Sequence, residues 1–261
     1  MSVAPLNTRN VPIEHMAGNQ RVKYLLLNER RRPLNEMQSV LIEGPPGTGK
    51  SSAIRDQLAA IKTRAIDIDP SQRLYCGGDP AHVIELSGAN ISAKTIEHID
   101  ELLCPYQLPY PEHPYHHNIV FIDELGELFH RGLGDSFAKR IEKFERLFWF
   151  GKVLLFGTAQ SFTPRSSKTV LGRDSVFERF LLRFIRVPTE KPTESEMIQF
   201  ISKWIGQWGL RLESIDVAIA LADKANGAMG LVVNCFDTCS AHGERVLTID
   251  GVNRFFEKMT I

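Results

Sequence analysis

No apolar run of about 18 residues or more occurs in the 261-residue chain, so a membrane-spanning helix is not expected. No signal-type leader is recognisable either, and the two absences together make a soluble, cytoplasmic protein the expectation. Excess charge of one sign is also lacking, with 31 Lys and Arg against 31 Asp and Glu. A global basic field for nucleic acid is thereby excluded, and any such contact has to come from a local patch. Cysteine is scarce. Cys76, Cys104, Cys235 and Cys239 form no C-x-x-C pair and have no histidine ladder beside them, which argues against a zinc site or a disulfide framework and for reduced thiols. Internal repeats and low-complexity tracts are missing too, and the length suits one large or two modest domains around a sizeable core.

The informative residues fall mainly in two stretches. Residues 39–43 are a short apolar run that reads as a buried strand, and they lead directly into Gly44, Pro45, Pro46, Gly47, Thr48, Gly49, Lys50 and Ser51, with Ser52 following. That octet satisfies GxxxxGK[ST] at every fixed position, with a strand before it and a helical pattern over residues 51–61 after it. An ordinary Gly/Pro turn carries no such context. The glycines let backbone N–H groups converge on an anion, Lys50 reaches the β- and γ-phosphates, and Ser51 offers a hydroxyl to Mg²⁺. A nucleoside triphosphate is the expected ligand.

Residues 118–124, NIVFIDE, are the second stretch. Ile119 to Ile122 read as a strand buried on both faces, with Asp123 and Glu124 emerging at its C-terminal end, where parallel sheets place their ligands. Asp123 is placed to hold Mg²⁺ through water opposite Ser51, and Glu124 to polarise the water that attacks the γ-phosphate. A further strand over residues 152–156 ends in Gly157-Thr158-Ala159-Gln160. Gln160 is the candidate for positioning that water, with Thr158 as substitute.

Around these stretches the chain alternates. Residues 11–18 precede a helix over 19–32 with Val22, Leu25 and Leu26 at inward spacing. Val11, Ile13 and Met16 are candidates for the wall over the adenine, or else simple core residues. Residues 62–81 read as an irregular excursion, 82–86 as a strand and 92–103 as a helix capped by Ser92. The proline-rich segment 104–117 carries His113, His116 and His117, which read as loop residues because they lack a fixed metal-ligand spacing. Residues 135–150 form an amphipathic helix whose Lys139, Arg140, Lys143 and Arg146 belong to a solvated face or touch a phosphate backbone or a neighbouring subunit. Over 173–186 a short helix and then a strand are expected. Arg173, Arg179 and Arg183 cannot all be buried unpartnered there. One of them, Arg179 foremost, fits the role of completing the site of an adjacent protomer; pairing with Asp174 or Glu178 is the other reading. Beyond Val187 and Pro188 four helices are expected, over 195–208, 213–225, 228–242 and 250–258, with Thr193 and Glu196 forming a capping start.

Strands near residues 39, 82, 118, 152 and 181, followed by a helical bundle, carry GPPGTGKS, VFIDE, GTAQ and the ERF triplet in that order. This layout resembles the AAA+ ATPases. Through VPIEHMAGNQRVKYLL and VIELSGAN it looks most like their clamp-loader and Holliday-junction branch-migration motor branch. The resemblance runs from about residue 11 to the end of the sequence. It implies an α/β P-loop NTPase fold, with a parallel five-stranded sheet in the order 5-1-4-3-2 in a nucleotide-binding domain over 1–188 and an all-helical lid domain over 189–261. It also implies an ATP hydrolase using ATP and Mg²⁺, assembled as a ring or helical homo-oligomer that hydrolyses at subunit interfaces and acts on DNA or a DNA-bound protein. Residues 44–51 would be Walker A and Asp123 and Glu124 the Walker B pair. Gln160 falls at the sensor-1 position and Arg179 at the arginine finger. One place departs from the pattern: where the family's lid has GxxR, this chain has Gly227-Ala228-Met229-Gly230, so the sensor-2 arginine is missing, with Arg254 and Lys224 as the cations left to stand in. A protein-remodelling ATPase that grips a polypeptide through residues 62–81 and 104–117 remains open. So does a nucleotide-gated assembly adaptor with little hydrolysis, towards which the missing arginine leans.

Overall fold

The computed structural model describes residues 11–32, 36–66, 81–88, 117–130, 153–160 and 180–259. The chain divides into two compact units. One comprises Met1–Lys23, Gly44–Asp56 and Thr189–Ile261; the other comprises Tyr24–Glu43 and Gln57–Pro188.

The second unit is built on a parallel sheet of strands β1 (Val40–Glu43), β2 (Ala81–Ser87), β3 (His117–Asp123), β4 (Val153–Ala159) and β5 (Ile185–Pro188), in the order β2-β3-β4-β1-β5. Read from the other edge, this is the expected 5-1-4-3-2. Continuous apolar runs suit such strands because both faces of a parallel sheet are covered. Phe121 and Ile122 of β3, Phe156 of β4 and Val40, Leu41 and Ile42 of β1 accordingly have no exposed surface. Register aligns the strand ends: Glu43 pairs with Ala159 and with Pro188, and Ser87 with Asp123. Ser39 locks the opposite end, its carbonyl accepting from Ile185 N–H (2.8 Å) and its hydroxyl from Leu155 N–H (3.0 Å). Arg186 of β5 forms a forked pair with Glu43 of β1, 2.6 Å at its closest. Gly157 lets the short helix α3 (Leu125–His130) approach the sheet, since a Cβ there would lie 3.1 Å from Leu125 Cδ2.

The fifth strand lies later than the sequence suggests. Phe180 and Leu181 end a helix, and turn hydrogen bonds carry the chain through Arg183 and Phe184 before β5 starts at Ile185. Phe180 and Phe184, four residues apart, pack edge to face at 5.3 Å, so their apolar spacing is that of a turn rather than a strand. Pro188 belongs to β5 itself, which is an edge strand and tolerates a residue without an N–H.

In the first unit, the expected capping start is present: Thr193 Oγ1 accepts from Glu196 N–H and the Glu196 carboxylate accepts from Thr193 N–H (2.9 Å). Helix α4 (Glu194–Trp204) follows. It tightens into a 3-10 turn over Ile205–Trp208 and stops at Gly209 in the left-handed conformation. Helices α5 (Ile215–Ala225), α6 (Met229–Ala241) and α7 (Ile249–Met259) pack around Ile201, Val217, Leu221, Val232, Phe236 and Val252. The bundle is helical apart from a two-residue parallel pair, β6 (Arg211–Leu212) with β7 (Val246–Leu247), too short to leave a periodic signal in the sequence. Helices α1 (Gln20–Arg31) and α2 (Lys50–Ile66) each run from one unit into the other, and α1 buries Val22 and Leu26 as the spacing indicated.

Candidate nucleotide site

Strand β1 ends at Glu43, and the next residue opens the phosphate loop. Gly44, Gly47 and Gly49 have φ of 152°, 79° and 86°, conformations that residues with a Cβ avoid. Space is as restrictive as backbone at Gly44, where a Cβ would sit 1.8 Å from Thr189 Oγ1. Gly44→Ala is therefore expected to cost about 2 kcal/mol or more through strain and overlap. That corresponds to a Tm lowered by at least about 4 °C, checked by calorimetry.

The loop is tied down by residues far away in sequence. Thr48, almost fully buried, has its hydroxyl 2.9 Å from Pro45 O and 3.1 Å from Thr189 Oγ1. Asn19 donates from Nδ2 to Thr48 O (3.1 Å) and accepts on Oδ1 from Glu190 N–H (3.0 Å). From the first turn of α6, Gly230 N–H donates to Gly47 O (3.3 Å), and a Cβ at Gly47 would lie 2.9 Å from Ala228 Cβ. The Lys50 ammonium donates to Gly44 O (2.8 Å) and Pro45 O (2.6 Å), closing the loop on itself. Helix α2 starts at Lys50 with no acidic residue in its first turn, so its N-terminal dipole favours an anion. Ser51 and Ser52, also in that turn, are partly exposed.

Of the adenine-wall candidates, Met16 touches the loop, its Cε lying 2.7 Å from where a Gly49 Cβ would be. Met229 Cε, at 2.8 Å, lies against the same place, and Met229 Sδ accepts from Ala17 N–H (3.1 Å). Ile13 has no exposed surface, and its N–H donates to Asp56 Oδ2 (3.1 Å). Val11 is partly exposed. Asn19, Thr189 and Met229 left no signal in the sequence, because only the fold brings them to the loop.

The carboxylates belong to the second unit. Asp123 ends β3 half-buried and Glu124 follows it, exposed, at φ 55°. Thr158 of β4, 1% exposed, donates from its hydroxyl to Asp123 Oδ1 (2.5 Å) and accepts from Glu124 N–H (3.0 Å). Its signal was a single polar side chain in the otherwise apolar VLLFGTA. Gln160, one residue past β4, is exposed. Register places the C-terminal ends of β1, β3 and β4 along one edge of the sheet, the edge at which open parallel sheets bind ligands.

Arg173 and Arg179 lie outside the described residues, as do His113, His116, His117, Ser92 and the basic residues of 135–150. Arg183 is exposed. Gly230, which the resemblance sets against a sensor-2 arginine, lies in the first turn of α6. Arg254 bonds Glu244 (3.2 Å) and the Lys224 ammonium lies over the Phe256 ring, 5.9 Å from its centroid. Cys235 and Cys239 are buried free thiols; burial pushes both pKa values up, so they stay protonated. Among the described residues no cluster of three or more His, Cys, Asp or Glu forms a ready-made metal site, and no helix is long and apolar enough to cross a membrane.

The donors fit the pair that the sequence implied. Within the first unit the positive-φ glycines and Lys50 form a cradle for a triphosphate and Ser51 adds a hydroxyl at its rim; within the second, the Asp123 carboxylate is a hard oxygen donor of the kind Mg²⁺ takes.

The sequence profile of the ATPase family associated with various cellular activities (AAA) matches residues 40–183, more than half of the chain. No curated protein matches the sequence. Solved structures do resemble the fold. The Thermotoga maritima RuvB Holliday junction branch migration motor superposes with a TM-score of 0.59 at 17% identity, covering 96% of this chain and 72% of that one. Domain III of the Thermotoga maritima replication initiation protein DnaA gives 0.62 at 13%, covering 99% and 98%. Hsp104, solved with ATPγS and FITC casein, gives 0.55 at 15%, covering 96% and 43%.

Proposed function

The chain belongs to the ATPase family associated with various cellular activities and is an ATP hydrolase of the P-loop type; from that premise we propose that it hydrolyses ATP with Mg²⁺ at the interfaces of a ring or helical homo-oligomer and acts on DNA or a DNA-bound complex. The observation that carries the reading is the phosphate loop, three positive-φ glycines opening into the acid-free N-terminus of α2. In this reading residues 1–188 bind the nucleotide and 189–261 form its lid. The loop N–H groups and Lys50 bind the phosphates. Ser51 and Asp123 hold the metal, which, when bound, neutralises phosphate charge. Glu124 takes the proton of the attacking water, Gln160 orients that water, and Arg179 serves the site of a neighbouring subunit. Met16 closes over the base with Val11 and Ile13. Cytoplasmic residence belongs to the same reading, in keeping with the free thiols of Cys235 and Cys239.

DNA enters from two of the structural neighbours, which are by name a Holliday junction motor and a replication initiation protein. The second reading, a nucleotide-gated adaptor, is favoured by Gly230 at the arginine position: the lid meets the loop through backbone rather than through a cation aimed at phosphate. A protein-remodelling ATPase is the third outcome to be tested. ATPase rate is measured with and without single-stranded or duplex DNA, alongside particle mass with a non-hydrolysable ATP analogue. The expected result is an oligomer whose turnover rises with DNA and loses that stimulation steeply with salt, because phosphate contacts release counterions. An oligomer with negligible turnover under all conditions would favour the adaptor, and stimulation by unfolded protein alone the remodeller.

A further inference from the structure

We infer that Thr158 is a positioning residue for hydrolysis: its one hydroxyl fixes both Asp123 and the backbone of Glu124. The inference rests on the proposed roles of those two carboxylates. Thr158 is 1% exposed, so its hydroxyl has to find its partners within the protein. It has one proton to give, and gives it to Asp123 Oδ1 at 2.5 Å, the short distance typical of a hydroxyl on a carboxylate. With the proton committed there, a lone pair faces Glu124 N–H, which donates at 3.0 Å. One hydroxyl thus serves at once as donor to the Asp123 carboxylate and as acceptor for the Glu124 backbone.

Glu124 is a non-glycine residue at φ 55°, a conformation that costs free energy and persists where its surroundings enforce it. Two neighbours enforce it. Thr158 holds its N–H. On the far side of β3, the glycine after β2 leaves room for its carbonyl, for a Cβ at Gly88 would lie 2.2 Å from Glu124 O. The left-handed residue breaks the strand immediately after Asp123, so one carboxylate stays half-buried and the next is exposed. Two adjacent carboxylates thereby face different surroundings, as separate roles in holding a metal and accepting a proton require. Thr158 is too buried to reach substrate or water and acts only through them.

Thr158→Val keeps the shape and removes the hydroxyl. Expected are a kcat lower by about 10- to 100-fold, as small misplacements of catalytic groups produce, with an unchanged Kd for the ATP analogue and a several-fold higher Mg²⁺ concentration for half-maximal rate. In the ligand-free chain, hydrogen exchange at the amide of Glu124 should accelerate. Thr158→Ser should restore all three quantities. Should the valine destabilise the fold, Thr158→Cys, of similar size and without the short bond to carboxylate, gives the same readout. Wild-type kcat and Mg²⁺ dependence in either variant overturn the inference, as does a serine variant as impaired as the valine. Glu124→Gln is run in parallel: normal turnover there removes the assignment of the base, whereas a slow Glu124→Gln beside a normal Thr158→Val removes only the role of Thr158.

Discussion

Glu124→Gln is expected to bind ATP as the wild type does and to hydrolyse it about 10² to 10⁴ times more slowly, the span over which a positioned general base contributes. The amide keeps the size of the carboxylate and its place after β3 and loses the ability to accept a proton from water. Binding is expected to be spared because the loop is held by Thr48, Thr189, Asn19 and Gly230, which the exchange at position 124 leaves unchanged. Filter binding of labelled ATP with single-turnover hydrolysis on the same preparation separates the two effects. A variant that loses ATP and turnover in equal measure would make Glu124 a structural residue.

Arg179→Ala is expected to lower turnover about 10³-fold or more while leaving each subunit able to bind ATP and to assemble. The signature of a group acting in trans is complementation. Mixed with Glu124→Gln subunits, Arg179→Ala subunits should recover part of the activity, because some interfaces then combine an intact base with an intact arginine from the neighbour. Activity that stays at the sum of the two separate preparations would place the arginine in its own subunit's site or outside any site.

How much of this was legible in the sequence depends on whether the chemistry is local. The phosphate loop was, since GPPGTGKS fixes its own backbone and the three positive φ values fall on its glycines. The carboxylate pair was, because an apolar run ending in Asp123-Glu124 marks a strand end in a parallel sheet. Thr193 and Glu196 announced the start of α4. The contacts across sequence were not legible. Thr158 reaches Asp123 through the alignment of β3 with β4, which no spacing within either strand encodes. Asn19 binds Thr48 and Glu190 at once, whereas the sequence offers it only as the first residue of a helical pattern. Gly230 drew notice only for a family pattern it departs from, and nothing in its neighbours marks it as a backbone donor to Gly47. The fifth strand was misplaced because Phe180 and Phe184 supply apolar residues to a turn just ahead of it.

The central claim is that the glycine-lined loop and the two carboxylates serve one triphosphate. A crystal structure of the Glu124→Gln variant with ATP and Mg²⁺ tests it most directly. The account predicts a γ-phosphate bonded to the Lys50 ammonium, a metal on the Ser51 hydroxyl with a water to Asp123, and the side chain at 124 facing the γ-phosphate across the attacking water. A nucleotide held by the loop with the ends of β3 and β4 facing elsewhere would contradict it.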